Sequence, residues 1–441
     1  MIEAARKLPV PEGTYAVGLG LIISGLGAYG FQILAFRGLS KTDYAALNGL
    51  WILLFVVAPG FFLPLEQEVG RAVAHRRANG EGGAPVIRKA AWATAALTVG
   101  LIVFTILWAL VFPLVDRLFH GQTVLLLCFL IGLATYAVQF LVKGAFSGNG
   151  RFRPYGVILG AEGIIRMIPM IALIALGIDN LLWYGLALAI PPVIAVLVSL
   201  RGQRGIMTPG PEAEWSELST NLTYLLLGSL TAQALSYSAA LGGIVLAQGR
   251  AEQKMVADFI VGFFIARIPI LLFQAVQAAL LPKLAGLAGA GRIDDFRTGL
   301  RKLVLIVVGV GVLGVVFGVT IGPTVGTILF GNQFNLEWVD LGLLCAGSGF
   351  FILALTLAQA LIALQGHARA FVAWLTGLVV AILVTAFSTH ELFRRIEYGF
   401  LAGCGMAALM MGVLLSSRMS TATPESLELL VEQIETEPLE I

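Results

Sequence analysis

The chain has 441 residues, of which 58% are hydrophobic and 12% are charged, whereas soluble globular proteins carry about 25% charged residues. This composition excludes a soluble domain as the main structure. The net charge of +2 is spread along the chain in short basic clusters, which gives no support for a nucleic-acid surface. The three cysteines lie in apolar runs, so neither a disulfide framework nor a metal site is expected.

Apolar runs long enough to cross a bilayer, which takes roughly 20 residues, follow one another along the chain. The backbone groups at the edge of an open sheet would have no hydrogen-bond partner in lipid, so we interpret each run as a helix. The sequence therefore predicts an all-α, polytopic membrane protein with about 12 transmembrane helices, at 14–36, 45–69, 90–111, 123–142, 154–177, 181–200, 221–247, 256–281, 303–321, 338–364, 370–387 and 398–415.

Lysine and arginine are unevenly divided between alternate loops. The loops on the side of the N-terminus hold 19 of them and the opposite loops hold 7. Because cytoplasmic loops retain positive charge, both termini are expected on the cytoplasmic side. The acidic stretch 419–441 is expected to be a disordered cytoplasmic tail.

The stretch 201–218, with Pro209, Gly210 and Pro211, is the longest break in hydrophobicity. It predicts a cytoplasmic linker between an N-terminal lobe at 1–200 and a C-terminal lobe at 219–418, with six spans each. Asp43-Tyr44 recurs as Asp258-Phe259 at an offset of 215 residues. This similarity indicates a parallel internal repeat, related by an axis along the membrane normal.

Glu162 and Arg166 are charged residues in the middle of the fifth span. They lie about 12 and 18 Å along the helix from Pro154, within a hydrocarbon core of about 30 Å, and their spacing of four places them on one helix face. One interpretation is a structural ion pair that fixes helix packing. The other is a cation-lined cavity in which Glu162 tunes Arg166.

Arg267 lies near the middle of the eighth span. Gln274 and Gln277 follow it on the same face, and Pro269 removes a backbone donor two residues later. Kinked helices with freed carbonyls are found where transporters line a cavity. We therefore predict that Arg267 lines a cavity, although proline is in any case more frequent in membrane helices than in soluble ones.

Shorter polar stripes occur in the first, fourth and seventh spans. Any one of them could serve only as hydrogen-bonding contact between helices, and together they favour a polar cavity. The cavity candidates among them are Tyr29, Gln32, Gln139 and Gln233. Glu66 and Glu68 stand beside Arg71 and are expected to form an ordinary salt bridge at the end of the second helix.

Sequence signatures of catalysis are not found. The sequence contains neither a phosphate-binding loop nor a HExxH zinc motif, and the predicted outer loops are short. We therefore expect a protein that is not an enzyme and that uses no cofactor.

Several local patterns resemble the Wzx-type oligosaccharide flippases, a polysaccharide transporter family in the superfamily that includes the MATE exporters. They are the passage 39–44, Gly70-Arg71 with the basic run after it, the segment 144–155 leading to Glu162 and Arg166, and Arg267-Ile268-Pro269 with Leu281-Pro282. The patterns are loose, but their order covers nearly the whole chain.

The resemblance implies a MATE-like fold in which two six-helix lobes face a central cleft. It implies a flippase that moves a polyprenyl-diphosphate-linked oligosaccharide from the inner to the outer leaflet by alternating access, in the cell inner membrane. The implied partners are this lipid-linked anionic glycan, membrane lipids, and envelope glycosyltransferases or a polymerase, with no nucleic acid. One departure concerns energy coupling, because the first span lacks the acidic residue expected of MATE exporters.

Two alternatives stay open at this point. One is a cation-coupled exporter of small amphipathic molecules on the same fold, and the other is a non-transporting membrane scaffold for envelope enzymes.

Overall fold

The computed structural model describes residues 14–218, 222–247, 249–270, 273, 293–331, 334, 336–364 and 366–421. Within these ranges the regular structure is helical and contains no strand. Ten helical segments of the described chain are long and apolar enough to cross a membrane, one of them made of two short helices in succession, and one bent helix pair is an eleventh candidate. The predicted all-α membrane fold is confirmed.

The helices of the first half overlap the predicted spans. They are α1 (Thr14–Gly38), α2 (Lys41–Ala78), α3 (Ala84–Val111), α4 (Leu114–Phe119), α5 (Thr123–Gly148), α6 (Phe152–Ala175), α7 (Leu181–Ala189) and α8 (Pro191–Leu200). Helices α2, α3 and α5 extend up to nine residues beyond the predicted spans. The short helix α4 lies in a stretch predicted as a loop. The sixth span is two helices, because Pro191 and Pro192 leave backbone carbonyls without donors at the break.

The helices of the second half are α9 (Leu222–Ser236), α10 (Ser238–Leu246), α11 (Gly249–Ala266), α12 (Ile293–Thr320), α13 (Gly322–Phe330), α14 (Trp338–Ala363), α15 (His367–Phe387) and α16 (Leu392–Thr421). The seventh predicted span is the bent pair α9 and α10. Most of the eighth span beyond residue 270 lies outside the described residues. Helix α16 includes residues 419–421, which were predicted as part of the disordered tail. The remainder of the predicted tail, residues 422–441, lies outside the described residues.

Polar side chains fix where several of these helices begin. The Ser40 hydroxyl accepts a hydrogen bond from the Asp43 amide at the start of α2, and the Asn180 side chain accepts one from the Leu182 amide at the start of α7. At the start of α14, Glu337 and Asp340 form a reciprocal capping box. Each cap satisfies amides that have no partner within the first helical turn.

Two compact units divide the described chain. The first contains the described residues of Met1–Gln233, Ala240–Val261 and Gly326–Asn335, and the second contains those of Ala234–Ala239, Gly262–Val325 and Leu336–Ile441. In the first unit, α1 packs along α6 and α2 along α5. In the second unit, α16 packs against α14 and α15. The predicted lobes at 1–200 and 219–418 stay a prediction.

The segment 201–218 is fixed against the end of α2 and the start of α3. Arg76 forms a salt bridge with Glu217 at 2.7 Å and donates to the Pro211 carbonyl at 2.7 Å, while Lys89 donates to the Ala213 carbonyl. Ala213 is buried in a small apolar cluster with residues of these helices. This part of the predicted linker is therefore docked on α2 and α3 within the first unit.

Candidate functional site

Buried polar side chains occupy the interior between α1, α2, α5 and α6 at three levels. Helix α2 passes all three, from Tyr44 near its start to Glu66, which lies about three turns before its end. These two residues are separated by about 33 Å along the helix axis, which matches the hydrocarbon thickness of a bilayer. We refer to the two ends of this helix as the Lys41 end and the Arg76 end.

The middle level is centred on the Glu162 carboxylate. Glu162 and Arg166 lie one turn apart on α6 and form an ion pair. From α5, the Tyr136 hydroxyl donates to Glu162 Oε1 at 2.9 Å, and Gln139 Nε2 donates to Oε2 at 2.8 Å. The carboxylate therefore has charge-assisted partners on both oxygens, which is the arrangement that makes a buried charge tolerable.

Arg166 is closed off from solvent at this level. Its side chain is 1% exposed, and Nη2 also donates to the Tyr136 hydroxyl at 3.1 Å. The guanidinium carbon lies 5.5 Å from the Trp51 ring centre and 6.0 Å from that of Phe55, both on α2. The geometry has the features of a structural ion pair, and a ligand could reach Arg166 only after this cluster opens. A role for Glu162, Arg166 and Gln139 in substrate binding stays a prediction.

The level nearest the Lys41 end contains Gln32, Tyr44 and Asn48. The Tyr44 hydroxyl donates to Gln32 Oε1 at 2.9 Å, and Asn48 Nδ2 donates to the Tyr44 carbonyl at 2.9 Å. Gln32 Nε2 and Asn48 Oδ1 are buried without a hydrogen-bond partner in the described part of the chain. Unpaired buried amide groups are costly, so this level has polar capacity for water or a ligand. Tyr29, one turn before Gln32, is half-buried.

The level nearest the Arg76 end holds a second buried ion pair. Lys143 Nζ lies 2.8 Å from Glu66 Oε2, and the Tyr155 hydroxyl donates to Glu66 Oε1 at 2.7 Å. Lys143 also lies 4.0 Å from the centre of the Phe140 ring. The expected end-of-helix salt bridge is confirmed only for Glu68, which binds Arg71 at 2.7 Å. For Glu66 the prediction was wrong, since its partner comes from α5.

Arg267 lies in the second unit at a point where two helices break. Helix α11 ends at Ala266, and α9 gives way to α10 at Tyr237 with a bend of 63° between the paired segments. Arg267 Nη1 donates to the Ser236 carbonyl at 2.7 Å and to the Ser236 hydroxyl at 2.9 Å. The cation therefore binds a carbonyl at the end of α9, where helical hydrogen bonds are missing.

Aromatic rings complete the surroundings of Arg267. Its guanidinium carbon lies 4.4 Å from the centre of the Tyr237 ring and 5.0 Å from that of Phe263. Among the described residues no carboxylate forms a salt bridge with Arg267, whereas Arg166 and Lys143 each have one. Ring faces and a carbonyl attract a cation but leave its charge uncompensated. Arg267 is half-buried, and its predicted place in a ligand cavity stays a prediction.

The predicted site residues are thus only partly brought together. Glu162, Arg166 and Gln139 form one cluster, while Gln233 is half-buried on α9. Gln274 and Gln277 lie outside the described residues. Sequence reasoning did not find the contributions of Asn48, Trp51, Phe55 and Ser236. Trp51 and Phe55 are spaced by four on α2, which would have indicated a shared aromatic face.

Comparisons of sequence find distant relatives of the chain. No protein-family model matches the chain. An uncharacterized protein of Mycobacterium bovis (strain ATCC BAA-935 / AF2122/97) is 24% identical over 244 residues, or 53% of each chain. An uncharacterized protein of Mycobacterium tuberculosis (strain ATCC 25618 / H37Rv) is 24% identical over 264 residues, or 58% of each chain. The matches span only a little over half the length of these curated relatives.

Solved structures are matched over almost the whole chain. An inward-facing multidrug resistance MATE family transporter of the MOP superfamily aligns with a TM-score of 0.72 at 15% identity, over 94% of this chain and 96% of that one. An outward-facing conformation of a MATE family transporter of the same superfamily aligns with a TM-score of 0.66 at 16% identity, over 93% and 95%. The chain therefore has the fold of MATE transporters.

Proposed function

We propose that this chain is a membrane transporter that works by alternating access. Support comes from the MATE fold, because solved proteins of this fold are described in both inward-facing and outward-facing conformations. Polar levels between α1, α2, α5 and α6 also extend through the depth of a bilayer, although burying them is costly. A structural scaffold has no need for such groups at every depth.

The substrate that we propose is a polyprenyl-diphosphate-linked oligosaccharide, carried from the inner to the outer leaflet for the synthesis of cell-envelope polysaccharide. Arg267 is the observation that carries this proposal, because it is a cation at membrane depth without a salt bridge among the described residues. A guanidinium can bind a diphosphate with two parallel hydrogen bonds. Flipping breaks no bond, so the process needs no catalytic residue.

In this proposal the amide groups at the Lys41 end bind the sugar part of the substrate. Gln32 and Asn48 each have one buried polar atom without a partner in the described chain, and amides pair well with sugar hydroxyls. The lipid tail would stay in the bilayer. The excess of 19 over 7 basic residues supports an orientation with the Arg76 end on the cytoplasmic side of the inner membrane.

A cation-coupled exporter of small amphipathic molecules is the second candidate. The observation that favours it is a group in the second unit where Arg394 lies 3.0 Å from Asp340 and 3.2 Å from Glu397. Glu397 is fully buried. In the salt bridges of the described residues these two carboxylates share one guanidinium, so the group has one negative charge in excess. A proton or a metal cation would balance that charge, as coupling to a cation gradient requires.

Transport by the purified full chain distinguishes the two candidates. Proteoliposomes would be loaded with a polyprenyl diphosphate that carries a short fluorescent oligosaccharide, and the flipped fraction would be read from quenching by external dithionite. We expect flipping well above protein-free liposomes and no uptake of a lipophilic cation. Cation uptake driven by a proton or sodium gradient, without flipping, would instead establish the exporter.

A further inference from the structure

Segments from the two halves of the sequence meet at the Lys41 end, inside the first unit. Lys41, at the start of α2, places Nζ 2.8 Å from Asp258 Oδ2 and 3.0 Å from Oδ1, on α11. Two hundred and seventeen residues separate the partners in sequence. The Asp258 side chain is only 8% exposed, while that of Lys41 is 27% exposed.

Arg37 forms a second contact of the same kind. Its Nε donates a hydrogen bond of 3.0 Å to the Leu329 carbonyl, and its Nη2 donates one of 3.0 Å to the Ile328 carbonyl. Both carbonyls are in the last turn of α13. Carbonyls in that position lack helical partners and carry the negative end of the helix dipole, so a cation stabilises them. Beside this contact, the rings of Phe36 and Phe330 meet edge to face at 5.5 Å.

These contacts hold α1 and α2 of the first half against α11 and α13 of the second half. If the segments separated at this end, the Asp258 carboxylate would lose its cation while still lying against apolar neighbours. An unpaired charge in such surroundings is strongly unfavourable. Separation therefore requires either water at Asp258 or a replacement for Lys41, and the pair acts against it.

We propose that Lys41 and Asp258, supported by Arg37 on α13, form a latch that closes the Lys41 end of the transport path. The proposal rests on the alternating-access part of the proposed function. Breaking the latch opens the path at that end, and re-forming it resets the transporter. The strength of the latch therefore sets how much of the population is closed at the Lys41 end in the absence of substrate.

Distances between spin labels test the latch directly. Thr42 is exposed and follows Lys41, and Met255 is exposed and lies one turn before Asp258. Nitroxide labels on Thr42→Cys and Met255→Cys therefore report the separation of α2 and α11. The native cysteines are buried and would be replaced by serine. Pulsed electron paramagnetic resonance on the full chain in nanodiscs, without substrate, gives the fraction of short distances.

We expect the short distance to dominate, and Lys41→Gln or Asp258→Asn to lower the ratio of short to long distances by about tenfold or more. The exchange Lys41→Asp with Asp258→Lys should restore it, and Asp294→Asn, in an exposed pair, should leave it unchanged. An unchanged ratio in both single variants, or no recovery on exchange, would overturn the latch. Because no substrate is present, this result is independent of whether the lipid-linked glycan is flipped.

Discussion

The charged side chains within the helices differ in how well they are compensated. Arg166 and Lys143 each have a carboxylate partner, and Arg267 has a carbonyl and two ring faces. Since a paired charge needs no ligand and an unpaired one favours an anion, the three cations are not equivalent. Binding of a diphosphate is therefore expected to depend on Arg267 far more than on Arg166.

The sequence could predict the pairing of Glu162 with Arg166, because a spacing of four on a helix brings side chains together. It could not predict that Lys143 pairs with Glu66, or that Trp51 and Phe55 cover Arg166. Those contacts join different helices, and their formation depends on helix rotation and on the close approach of α2 to α5. A single polar residue on a helix face does not specify which neighbouring face it meets.

The first prediction concerns the buried ion pair of α6. Arg166→Met leaves the Glu162 carboxylate buried without its cation, so the variant should lose about 3 to 5 kcal/mol of stability. Glu162→Gln with Arg166→Met removes both charges and should recover most of it. The unfolding midpoint of the purified protein in detergent measures the effect, with the lipid-facing Ile164→Ala on the same helix as control.

The same double variant separates the two interpretations of the pair. A structural pair predicts that the recovered protein still transports its substrate. If its stability returns but transport does not, the pair contributes to the cavity. If Arg166→Met is no less stable than Ile164→Ala, the buried pair is not as the structure shows it.

At the scale of the helix, apolar length was enough to locate the spans but not their interruptions. Both α1 and α5 begin at the predicted residue and end later, α1 at Gly38 and α5 at Gly148. Their location could be predicted because a run of about 20 apolar residues either crosses the membrane or is buried. The helices α4 and α13 were missed because six to nine residues inside a loop carry no span signal. Pro191 and Pro192 could have signalled the break in the sixth span.

Close packing between α1 and α6 gives a second prediction. A Cβ at Gly27 would lie 2.6 Å from the Gly163 carbonyl oxygen, whereas at Gly18 it would meet nothing within 4 Å. Small residues allow such backbone contact between membrane helices. Gly27→Ala should therefore lower the unfolding midpoint by several degrees, and Gly18→Ala should not. Equal midpoints for the two variants would contradict the observed packing of α1 on α6.

The docked segment 201–218 gives a third prediction, which concerns pH. The hydrogen bond from Arg76 holds the pKa of the Glu217 carboxyl below its ordinary value of 4.5. A lowered pKa means that docking is fully stabilised above about pH 4.5 and weakens as the pH falls through the pKa of the folded state. Hydrogen exchange in 208–218 should therefore be faster at pH 3.5 than at pH 7, after correction for intrinsic rates.

Glu217→Gln should reproduce the faster exchange at pH 7, since it removes the charge that Arg76 binds. Glu212→Gln is the matched control, because Arg76 contacts only the backbone carbonyl of that residue. Protection that is equal in wild type and Glu217→Gln would show that the salt bridge does not hold the segment.

At the scale of the whole molecule, the two halves of the chain share one feature of their helix order. A short helix follows the third span of each half, α4 after α3 and α13 after α12. The parallel repeat and the two lobes stay predictions, and the compact units follow other boundaries than the predicted lobes. Composition and span count could specify the class of fold. The substrate could not be predicted, because it depends on which charged side chains lack a partner, and pairing is decided by contacts between helices.

The substrate and its binding residue together form the central claim, and flipping of the fluorescent diphosphate-linked oligosaccharide by an Arg267→Gln variant tests it most directly. Hydrogen bonds to charged groups are worth about 1.5 to 3 kcal/mol, so the initial rate should fall roughly 10- to 100-fold, with partial activity in Arg267→Lys. Arg297→Gln, at a half-exposed arginine of α12, should flip at the wild-type rate. Wild-type flipping by a folded Arg267→Gln variant would contradict the account.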